Sequence, residues 1–328
     1  MNYITKNYNN MERVLVTGSG GFIGSHLVKF LKEKGYWVRG VDIKYPEFSE
    51  TKADEFLILD LREKVNCLKA VIGVTKIYQL AANMGGMGFI SSNGLASYET
   101  SLKINMNMAE AADWEKARIL FSSSACVYPT NKLDIVNPLP IKEEDVLPAM
   151  PNEDYGWEKL TAEKIYQAYA RERGLDIRIV RYDNTYGEEG TYKGGREKAP
   201  AATCRKVLEA TDKVEIWGDG EQTRAFMYVS DNNRGTWMLM ESNITEPINL
   251  ATQELITIND LTDMVCDIAG KKDLKKVHLL DKPQGVRGRL IDTSRAKFLL
   301  DWEPEVSLRD GMERTFKWLK EEINGTVL

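Results

Sequence analysis

A glycine-rich turn between a short apolar strand and an amphipathic helix constrains this chain most strongly. The string Gly18-Ser19-Gly20-Gly21-Phe22-Ile23-Gly24 follows a predicted strand from Arg13 to Thr17 and opens a predicted helix from Phe22 to Lys34. Glycines permit a tight turn there, and they let backbone amides approach a pyrophosphate at the helix N-terminus. A second predicted strand, from Tyr36 to Asp42, completes a βαβ unit.

The alternation of strands and helices continues along the chain. Apolar runs predict strands near Lys76 to Leu80, Arg118 to Ser122 and Leu175 to Arg181. Helical periodicity predicts helices from Ser97 to Trp114 and from Tyr155 to Arg173. Because strands separated by helices form parallel sheets, we expect an α/β fold with a Rossmann-type, doubly wound parallel sheet.

Chain length and the later sequence predict a second, smaller domain. The 328 residues suffice for one nucleotide-binding domain and a partner. Gly, Lys, Arg and Pro residues become frequent between Tyr186 and Pro200, where we expect the substrate region to begin. We predict a nucleotide-binding domain over residues 12–182, with 227–250 returning to its sheet. The substrate-binding domain, discontinuous and C-terminal, is predicted over 183–226 and 251–328.

Composition excludes several classes of partner. A net charge of -5 offers no general attraction to nucleic acid or to anionic lipid, and no apolar run reaches membrane-spanning length. Four scattered cysteines lack the spacing of a zinc site or a disulfide framework, so we expect no metal and a reducing compartment. Residues 1–10 are polar and carry no signal-peptide pattern, which predicts a cytoplasmic protein.

Two acidic residues bear on the choice of nucleotide. Asp42 ends the second predicted strand, eighteen positions beyond Gly24. A carboxylate there accepts hydrogen bonds from the adenosine ribose hydroxyls and repels a 2′-phosphate, which favours NAD over NADP. Asp60 is a second candidate, near the adenine, although an exposed aspartate at a strand end is an equally good interpretation.

A tyrosine and a lysine on one helix face form a candidate reaction centre. Tyr155 and Lys159 are four positions apart, so both reach one ligand. A free tyrosine has a pKa of about 10, and nearby positive charge favours its phenolate, the form that deprotonates an alcohol. The pair also occurs by chance on ordinary helices, but the serines 122–124 follow a buried strand and supply a further hydrogen-bonding hydroxyl.

The glycine turn, Asp42, the serine-rich strand end and the Tyr-Lys pair resemble the extended short-chain dehydrogenase/reductase family over nearly the whole chain. By this resemblance, Ser124 orients the reacting hydroxyl and Tyr155 is the acid/base. Lys159 binds the nicotinamide ribose and lowers the pKa of the tyrosine. The resemblance also implies hydride transfer at C4 of a nucleotide sugar, with tightly held NAD regenerated in each turnover.

Five longer strings narrow the resemblance to the GDP-mannose 3,5-epimerase family. They are LAANMGGMGFI at 80–90, SSACVYP at 123–129, KGGREKAP at 193–200, WGDGEQTR at 217–224 and GVRGR at 285–289. Asn83 departs from the aspartate that is usual in that family, a change that bears on substrate tuning. The C-terminus is shorter than that of plant members.

The chemistry of that family needs two opposed proton-transfer groups. Oxidation of C4 to a ketone acidifies the hydrogens at C3 and C5, so a base on one ring face and an acid on the other invert either carbon through an enolate. The resemblance assigns these roles to Cys126 as base and Lys198 as acid. By themselves, the cysteine is more typical of a small core side chain and the lysine of a solvated surface residue.

Further residues are expected to bind the nucleotide sugar. We expect Gly85 and its neighbours to form a flexible loop that can approach the sugar without a side-chain barrier. The forked guanidinium of Arg287 is the best candidate for the diphosphate. The resemblance implies a homodimer formed through the helices at 97–114 and 155–173. The complete expected substrate set is Gly85, Ser124, Ala125, Cys126, Asn184, Glu197, Lys198, Ala199, Lys206, Gln222, Thr223, Arg224 and Arg287.

Three other functions remain open from the sequence. A sugar-nucleotide 4-epimerase uses the same NAD and Tyr-Lys groups but needs neither Cys126 nor Lys198. A 4,6-dehydratase is disfavoured because Ala125, and not an acidic residue, follows Ser124. A catalytically silent NAD-binding regulator is disfavoured by the intact serine, tyrosine and lysine. His26 and His278 show no pattern of a catalytic or metal-binding residue.

Overall fold

The computed structural model describes residues 11–133, 138–151, 153–282 and 284–325. Residues 1–10 lie outside these ranges. They are the residues on which the prediction of a cytoplasmic protein without a signal peptide depends. The strands in chain order are β1 (Arg13–Thr17), β2 (Trp37–Asp42), β3 (Glu55–Ile58), β4 (Lys76–Gln79), β5 (Arg118–Ser124), β6 (Ile177–Tyr182), β7 (Asn184–Tyr186), β8 (Lys213–Trp217), β9 (Thr223–Tyr228), β10 (Ile248–Leu250), β11 (Leu255–Thr257) and β12 (Lys275–Leu279).

Helices follow most of these strands and form the outer layers. In chain order they are α1 (Phe22–Glu33), α2 (Lys64–Val71), α3 (Met87–Ser92), α4 (Gly94–Glu115), α5 (Glu153–Arg173), α6 (Ala199–Glu209), α7 (Val229–Glu241), α8 (Ile258–Ile268), α9 (Ser294–Leu300) and α10 (Leu308–Gly325). None of the helices in the described ranges is long and apolar enough to cross a membrane.

The main sheet has seven strands in the order β10-β6-β5-β4-β1-β2-β3. Every neighbouring pair in it is parallel. The chain order reverses between β1 and β4, which is where open α/β sheets form their ligand crevice. The predicted α/β fold with a Rossmann-type parallel sheet is therefore confirmed.

Side-chain alternation along β1 explains why both faces of this sheet are covered. Leu15 packs into one core with α2, α4 and α5, whereas Val14 and Val16 pack into a second core with α1, α7 and α9. All three valine and leucine side chains are fully buried. Since burial of such a side chain contributes about 1.5–3 kcal/mol, a helix layer on each face stabilises the strand more than a single layer would.

A smaller set of strands lies beyond the sheet. β11, β9 and β7 form a three-stranded sheet, and β12 pairs with β8 in parallel. A third core, which includes Cys204, Phe226 and Leu261, joins these strands to α6, α8 and α10. The edge strand β10 pairs with β6 in the main sheet, so the chain returns from β9 to the main sheet before entering β11.

Most predicted elements occur with small shifts at their ends. The first helix ends at Glu33, one residue before the expected Lys34, and β5 runs two residues beyond Ser122. The helix predicted from Ser97 begins at Gly94, and the one predicted from Tyr155 begins at Glu153. The sequence interpretation missed β3 and α2, because both are short and half-exposed and so carry weak periodicity.

Candidate active site

The glycine turn lies beside the point where the strand order reverses. Gly18 has φ = 70°, a left-handed conformation that disfavours side chains. A Cβ atom on Gly24 would overlap the carbonyl oxygen of Gly18, and one on Gly20 would overlap the carbonyl oxygen of Lys44. The turn therefore requires glycine at these positions, and the first turn of α1 packs directly on the end of β1.

The start of α1 is suited to bind an anion. Gly21 caps this helix without a side-chain hydrogen bond, and the first turn carries no acidic residue. Its first amides, at Phe22 and Ile23, are therefore available to a phosphate at the positive end of the helix dipole. A cavity of about 30 Å³ adjoins the turn and is lined by Gly20, Gly21, Phe22, Ser25 and Lys44, among others. These residues fit the pyrophosphate of a dinucleotide.

Asp42 is held beside the same turn. Its Oδ2 accepts a hydrogen bond from the amide of Gly20 at 2.9 Å, and its Oδ1 accepts one from the amide of Ile43 at 2.7 Å. Burial raises the pKa of Asp42, while these amides and that of Lys44 oppose the rise. Oδ1 also accepts from the amide of Lys44 at 3.3 Å. Oδ2 accepts only the hydrogen bond from Gly20 and keeps a further lone pair, so the group can still accept a hydrogen bond from a ribose hydroxyl.

Asp60 lies farther out and has a partner of its own. Its Oδ2 accepts a hydrogen bond from Nη2 of Arg62 at 2.5 Å. That hydrogen bond lowers the pKa of Asp60. The carboxylate is one-third exposed. This exposure is compatible with an adenine contact and equally with an ordinary aspartate at the end of a strand. Its contact with the adenine stays a prediction.

Ser124 and Tyr155 meet where β5 ends. The chain leaves β5 through a 3-10 turn at Ala125–Val127, in which Ser124 Oγ accepts a hydrogen bond from the amide of Cys126 at 3.2 Å. The Ser124 hydroxyl also lies near enough to the phenol of Tyr155 to lower the pKa of that tyrosine. Helix α5 reaches this turn closely, since a Cβ atom on Gly156 would overlap the carbonyl oxygen of Cys126. The serine, the cysteine and the tyrosine therefore form one cluster.

Tyr155, the predicted acid/base, is deeply buried. Burial raises the pKa of Tyr155, and the Cys126 thiol and the Glu158 carboxylate act in the same direction. The hydrogen bond from Ser124 and the charge of Arg289 lower it. The net shift is upward, because burial outweighs the hydrogen bond from Ser124 and the charge of Arg289. The lowering of this pKa by Lys159 stays a prediction.

Lys159 lies one turn beyond Tyr155 on α5 and is buried. Its Nζ donates a hydrogen bond to the carbonyl oxygen of Ser122 at 3.1 Å. The ammonium is 4.9 Å from the ring centroid of Phe121 and 5.7 Å from that of Tyr155. It is therefore held over the end of β5, within reach of a ligand that also contacts the tyrosine.

Lys198 precedes α6 and lies near Cys126. Burial lowers the pKa of Lys198; the Cys126 thiol opposes this shift, Arg289 adds to it and Asp183 opposes it. In the described part of the chain, the ammonium makes no hydrogen bond or ion pair. The side chain is half-buried, and a lysine with a lowered pKa releases its proton more readily than a surface lysine. A thiol and an ammonium that can exchange protons thus adjoin the Ser124–Tyr155 pair.

The glycine loop before α3 is tied to the segment that carries Lys198. The amide of Gly86 donates to the carbonyl oxygen of Arg196 at 3.0 Å, and Nη1 of Arg196 donates to the carbonyl oxygen of Met84 at 2.9 Å. A Cβ atom on Gly86 would overlap the carbonyl oxygen of Glu197. The structure thus brings the predicted residue Gly85 next to the segment that contains Glu197, Lys198 and Ala199.

Several predicted substrate residues gather around the end of β8. Nζ of Lys206 lies 5.6 Å from the ring centroid of Trp217, and Nε2 of Gln222 donates to the Trp217 carbonyl oxygen at 3.1 Å. Arg287 donates to Asp219 at 2.8 Å, and its carbonyl oxygen accepts from the amide of Thr223 at 3.0 Å. None of these contacts involves the Cys126 cluster. The group contains two cations, Lys206 and Arg287.

Arg224 and Asn184 belong to the Cys126 cluster instead. Burial lowers the pKa of Arg224 to about 10, with Arg289 adding to the shift and Cys126 opposing it. The side-chain amide of Asn184 donates to the carbonyl oxygen of Ala225 at 3.1 Å, and its Oδ1 accepts from Arg289 at 3.1 Å. Asn184 therefore contacts Arg289, and the charges of Arg289 and Cys126 act on Arg224. Nη2 of Arg224 also donates to the carbonyl oxygen of Gln284 at 3.1 Å.

The sequence interpretation missed Arg289. Its Nη1 lies 3.5 Å from Sγ of Cys126, and its Nη2 forms an ion pair with Asp183 at 2.9 Å. Its Nε and Asp183 Oδ2 are buried without a hydrogen bond in the described residues, so both have capacity left for a ligand. Arg289 stands two positions beyond Arg287 in the string 285–289, and only that shared string signals its importance.

The geometry supports proton transfer at two places. The Ser124–Tyr155 pair can take a proton from an alcohol, and the thiol and ammonium of Cys126 and Lys198 can exchange protons with carbon. Among the described residues, no group of three or more His, Cys, Asp or Glu side chains could hold a metal ion.

Comparisons with known proteins agree with this geometry. Residues 14–251 match the model of the NAD dependent epimerase/dehydratase family. The chain is 41% identical over 314 residues to a GDP-mannose 3,5-epimerase of Arabidopsis thaliana, and the match covers 95% of this chain and 83% of that protein.

Solved structures give the same assignment. A UDP-glucose 4-epimerase of Thermotoga maritima with UDP-glucose has a TM-score of 0.84 at 27% identity, covering 95% of this chain and 99% of that one. A UDP-glucuronic acid 4-epimerase of Bacillus cereus in complex with UDP-glucuronic acid and NAD has a TM-score of 0.82 at 27% identity, covering 94% and 99%. With its sheet order, glycine turn and Ser-Tyr-Lys cluster, this chain belongs to the NAD-dependent epimerase/dehydratase family.

Proposed function

We propose that this protein is an NAD-dependent epimerase that inverts C3 and C5 of GDP-mannose and gives GDP-L-galactose, GDP-L-gulose or both. The proposal rests mainly on one observation. Cys126 and Lys198 lie next to the Ser124–Tyr155 pair. Inversion of a ring carbon requires a base and an acid such as this thiol and ammonium, and the Ser124–Tyr155 pair serves the oxidation. The similarity to the plant protein named GDP-mannose 3,5-epimerase supports the choice of substrate.

In the first half of the proposed reaction, Ser124 orients the C4 hydroxyl and Tyr155 takes its proton. Lys159 contacts the nicotinamide ribose and keeps positive charge beside the tyrosine. Bound NAD would supply the acceptor for the hydride that leaves C4 and, once reduced, the donor for its return. Tyr155 then gives its proton back to the C4 oxygen, so that no net oxidation occurs.

In the second half, the C4 ketone acidifies the hydrogens on its two neighbouring carbons. Cys126 removes a proton from C3 or C5 on one face of the ring. Lys198 delivers a proton to the opposite face, which inverts that carbon. The lowered pKa of Lys198 suits this role, because such a lysine gives up its proton more readily than a surface lysine.

The remaining predicted residues divide between the two ends of the substrate. Arg224 and Asn184 contact the cluster around Cys126, which suits them to the sugar. Lys206 and Arg287 lie around Trp217, which suits them to the diphosphate and nucleoside. This division supports residues 183–226 and 251–328 as the substrate-binding domain, with residues 12–182 and 227–250 binding NAD.

Replacing Arg287 by alanine tests the diphosphate contact. We expect KM for GDP-mannose to rise about ten- to a hundredfold, because hydrogen bonds to charged groups contribute about 1.5–3 kcal/mol. The affinity for NAD should stay near that of the wild type. Steady-state kinetics and cofactor titration measure the two quantities. Arg309→Ala, which removes an exposed ion pair with Asp267, is the matched control; equal weakening of NAD and substrate binding by Arg287→Ala would contradict the assignment.

The pH dependence of proton exchange tests Lys198. As the pH rises through the pKa of Lys198, the residue loses the proton that it must donate, so exchange should fall. Because burial lowers this pKa, the fall should begin at a lower pH than for a surface lysine. Lys198→Arg should exchange far more slowly and lack this fall, since arginine keeps its proton. Initial rates of deuterium incorporation at different pH values measure the exchange in the wild type and in the variant. If exchange falls at the same pH in both proteins, the fall belongs to a group other than Lys198.

Incubation of the wild-type protein with GDP-mannose in heavy water tests the whole proposal. Mass spectrometry and proton NMR should detect deuterium at C3 and C5 together with inverted sugars. A protein that exchanges neither hydrogen but inverts C4 would instead be a sugar-nucleotide 4-epimerase, and the present proposal would be wrong.

We further propose a homodimer that works in the cytoplasm. Helices α4 and α5 pack side by side and expose the large apolar side chains of Met106, Trp114 and Trp157, which supports a partner on this face. The free thiols of all four cysteines fit a reducing compartment. Light scattering of the purified protein gives the molar mass that tests the dimer.

A further inference from the structure

A row of buried polar side chains connects the end of β1 to the catalytic helix. The hydroxyl of Thr17 donates to Oε1 of Gln79 at 2.5 Å, and Nε2 of Gln79 donates to Oδ1 of Asn105 at 3.1 Å. Nδ2 of Asn105 then donates to Oε1 of Glu158 at 2.9 Å. All four residues are buried, and the row joins the strand before the glycine turn to α5.

Glu158 ends this row beside the catalytic lysine. Its Oε2 lies 3.9 Å from Nζ of Lys159 and has no hydrogen-bond partner among the described residues. Both side chains are at most 3% exposed. Burial raises the pKa of Glu158, and the charge of Lys159 and the hydrogen bond from Asn105 oppose the rise. A carboxylate so deeply buried is costly unless it is paired, and Lys159 is the cation that favours its charged form. The mechanism described above gives this carboxylate no task.

The charge of Glu158 also acts on the acid/base tyrosine. Glu158 lies three positions beyond Tyr155 on α5 and hence on a neighbouring helix face. In this water-excluded interior its negative charge disfavours the phenolate of Tyr155. The other ionisable or polar groups that act on Tyr155 are Ser124, Cys126, Lys159 and Arg289. Those that face Glu158 are Asn105, Lys159 and Tyr166.

We propose that Glu158 is a positioning residue that anchors the Lys159 ammonium and sets the pH at which Tyr155 accepts the substrate proton. Asn105 and Gln79 hold the carboxylate in the orientation that this role requires. The proposal rests on the role of Tyr155 in the oxidation step above. It is independent of the sugar nucleotide and of the carbon that is inverted.

Neutralising Glu158 tests this role without any substrate. In Glu158→Gln the side-chain oxygen can still accept from Asn105, but the negative charge is gone. Carbon-13 NMR of labelled tyrosine follows ionisation of the phenol while NAD is bound. The signal of Tyr155 is identified because it is missing from the spectrum of Tyr155→Phe. We expect its titration midpoint to lie about one pH unit lower than in wild type. An unchanged midpoint would overturn the proposal.

Three further variants separate charge from shape. Glu158→Met also removes the charge, suits a buried site and should lower the midpoint as Glu158→Gln does. Glu158→Asp keeps the charge and should restore a midpoint near that of the wild type. Glu172→Gln neutralises an exposed carboxylate on the same helix and should have no effect. A midpoint that moves as far in Glu158→Asp as in Glu158→Gln would assign Glu158 a purely structural role.

The rate of cofactor reduction with GDP-mannose gives a second readout. Oxidation of C4 needs the deprotonated tyrosine, so the rising acid side of its pH profile should move to lower pH by the same amount in Glu158→Gln. One further outcome is that GDP-mannose reduces the cofactor in neither the wild type nor any variant, while the NMR titration midpoint of Tyr155 still moves in Glu158→Gln. In that case the proposed substrate is wrong and the role of Glu158 stands.

Discussion

Replacing Tyr155 by phenylalanine should lower turnover of GDP-mannose by roughly 10²–10⁴-fold while NAD remains bound. The change removes the group that takes the C4 hydroxyl proton, and without that transfer neither oxidation nor inversion begins. The glycine turn and Asp42, which hold the cofactor, are untouched. Product formation measured by NMR and bound NAD measured after gel filtration give the two results.

The same helix supplies a matched control for this variant. Tyr169 is also on α5 and is only partly buried, so Tyr169→Phe removes an identical hydroxyl away from the cluster. We expect its turnover to equal that of the wild type. Wild-type turnover in Tyr155→Phe would contradict the assignment of the acid/base, and loss of NAD from Tyr155→Phe would show that the tyrosine mainly holds the cofactor.

Replacing Cys126 by alanine should separate the two halves of the reaction. Oxidation uses Ser124 and Tyr155, so the ultraviolet absorbance of reduced cofactor should still appear when GDP-mannose is added. Inversion needs the thiolate, so deuterium incorporation at C3 and C5 in heavy water should fall by roughly 10²–10⁴-fold. Absorbance and mass spectrometry on the same samples compare the two steps directly.

Cys266→Ala controls for the loss of a thiol elsewhere in the chain. Cys266 is buried in the core between α6, α8 and α10, and its removal should leave both oxidation and exchange unchanged. If Cys126→Ala exchanges both ring hydrogens at the wild-type rate, the cysteine is a structural residue of the turn after β5. In that case the base must be sought among the other groups of the cluster, Lys198 included.

The elements with strong local patterns were predictable from the sequence. The helix α1 buries Leu27, Val28 and Leu31 on one face, and this helical spacing is visible in the chain itself. The glycine string was equally informative, since a side chain at Gly24 would meet the carbonyl oxygen of Gly18 only six residues away. Patterns of this kind act between near neighbours, so periodicity and turn chemistry predict them.

Elements stabilised by tertiary contacts were harder to predict. The short strand β3 is half-exposed and is held through its parallel pairing with β2. The loop at Gly85 was expected to be flexible. It is instead tied to the segment at Arg196 and followed directly by α3. Neither feature has a periodic signal, because the partners lie elsewhere in the chain.

By itself, the sequence determined the parallel sheet, the dinucleotide turn and the Ser-Tyr-Lys set, since each is encoded within a strand, a turn or one helix face. Only the tertiary structure decided which charges surround those residues. Arg289 reaches Cys126 across 163 positions of the chain, and Asn105 meets Glu158 across 53. The direction of the Tyr155 pKa depended on burial, which local sequence does not contain. Long-range packing and desolvation set these interactions, and both exist only once the chain has folded.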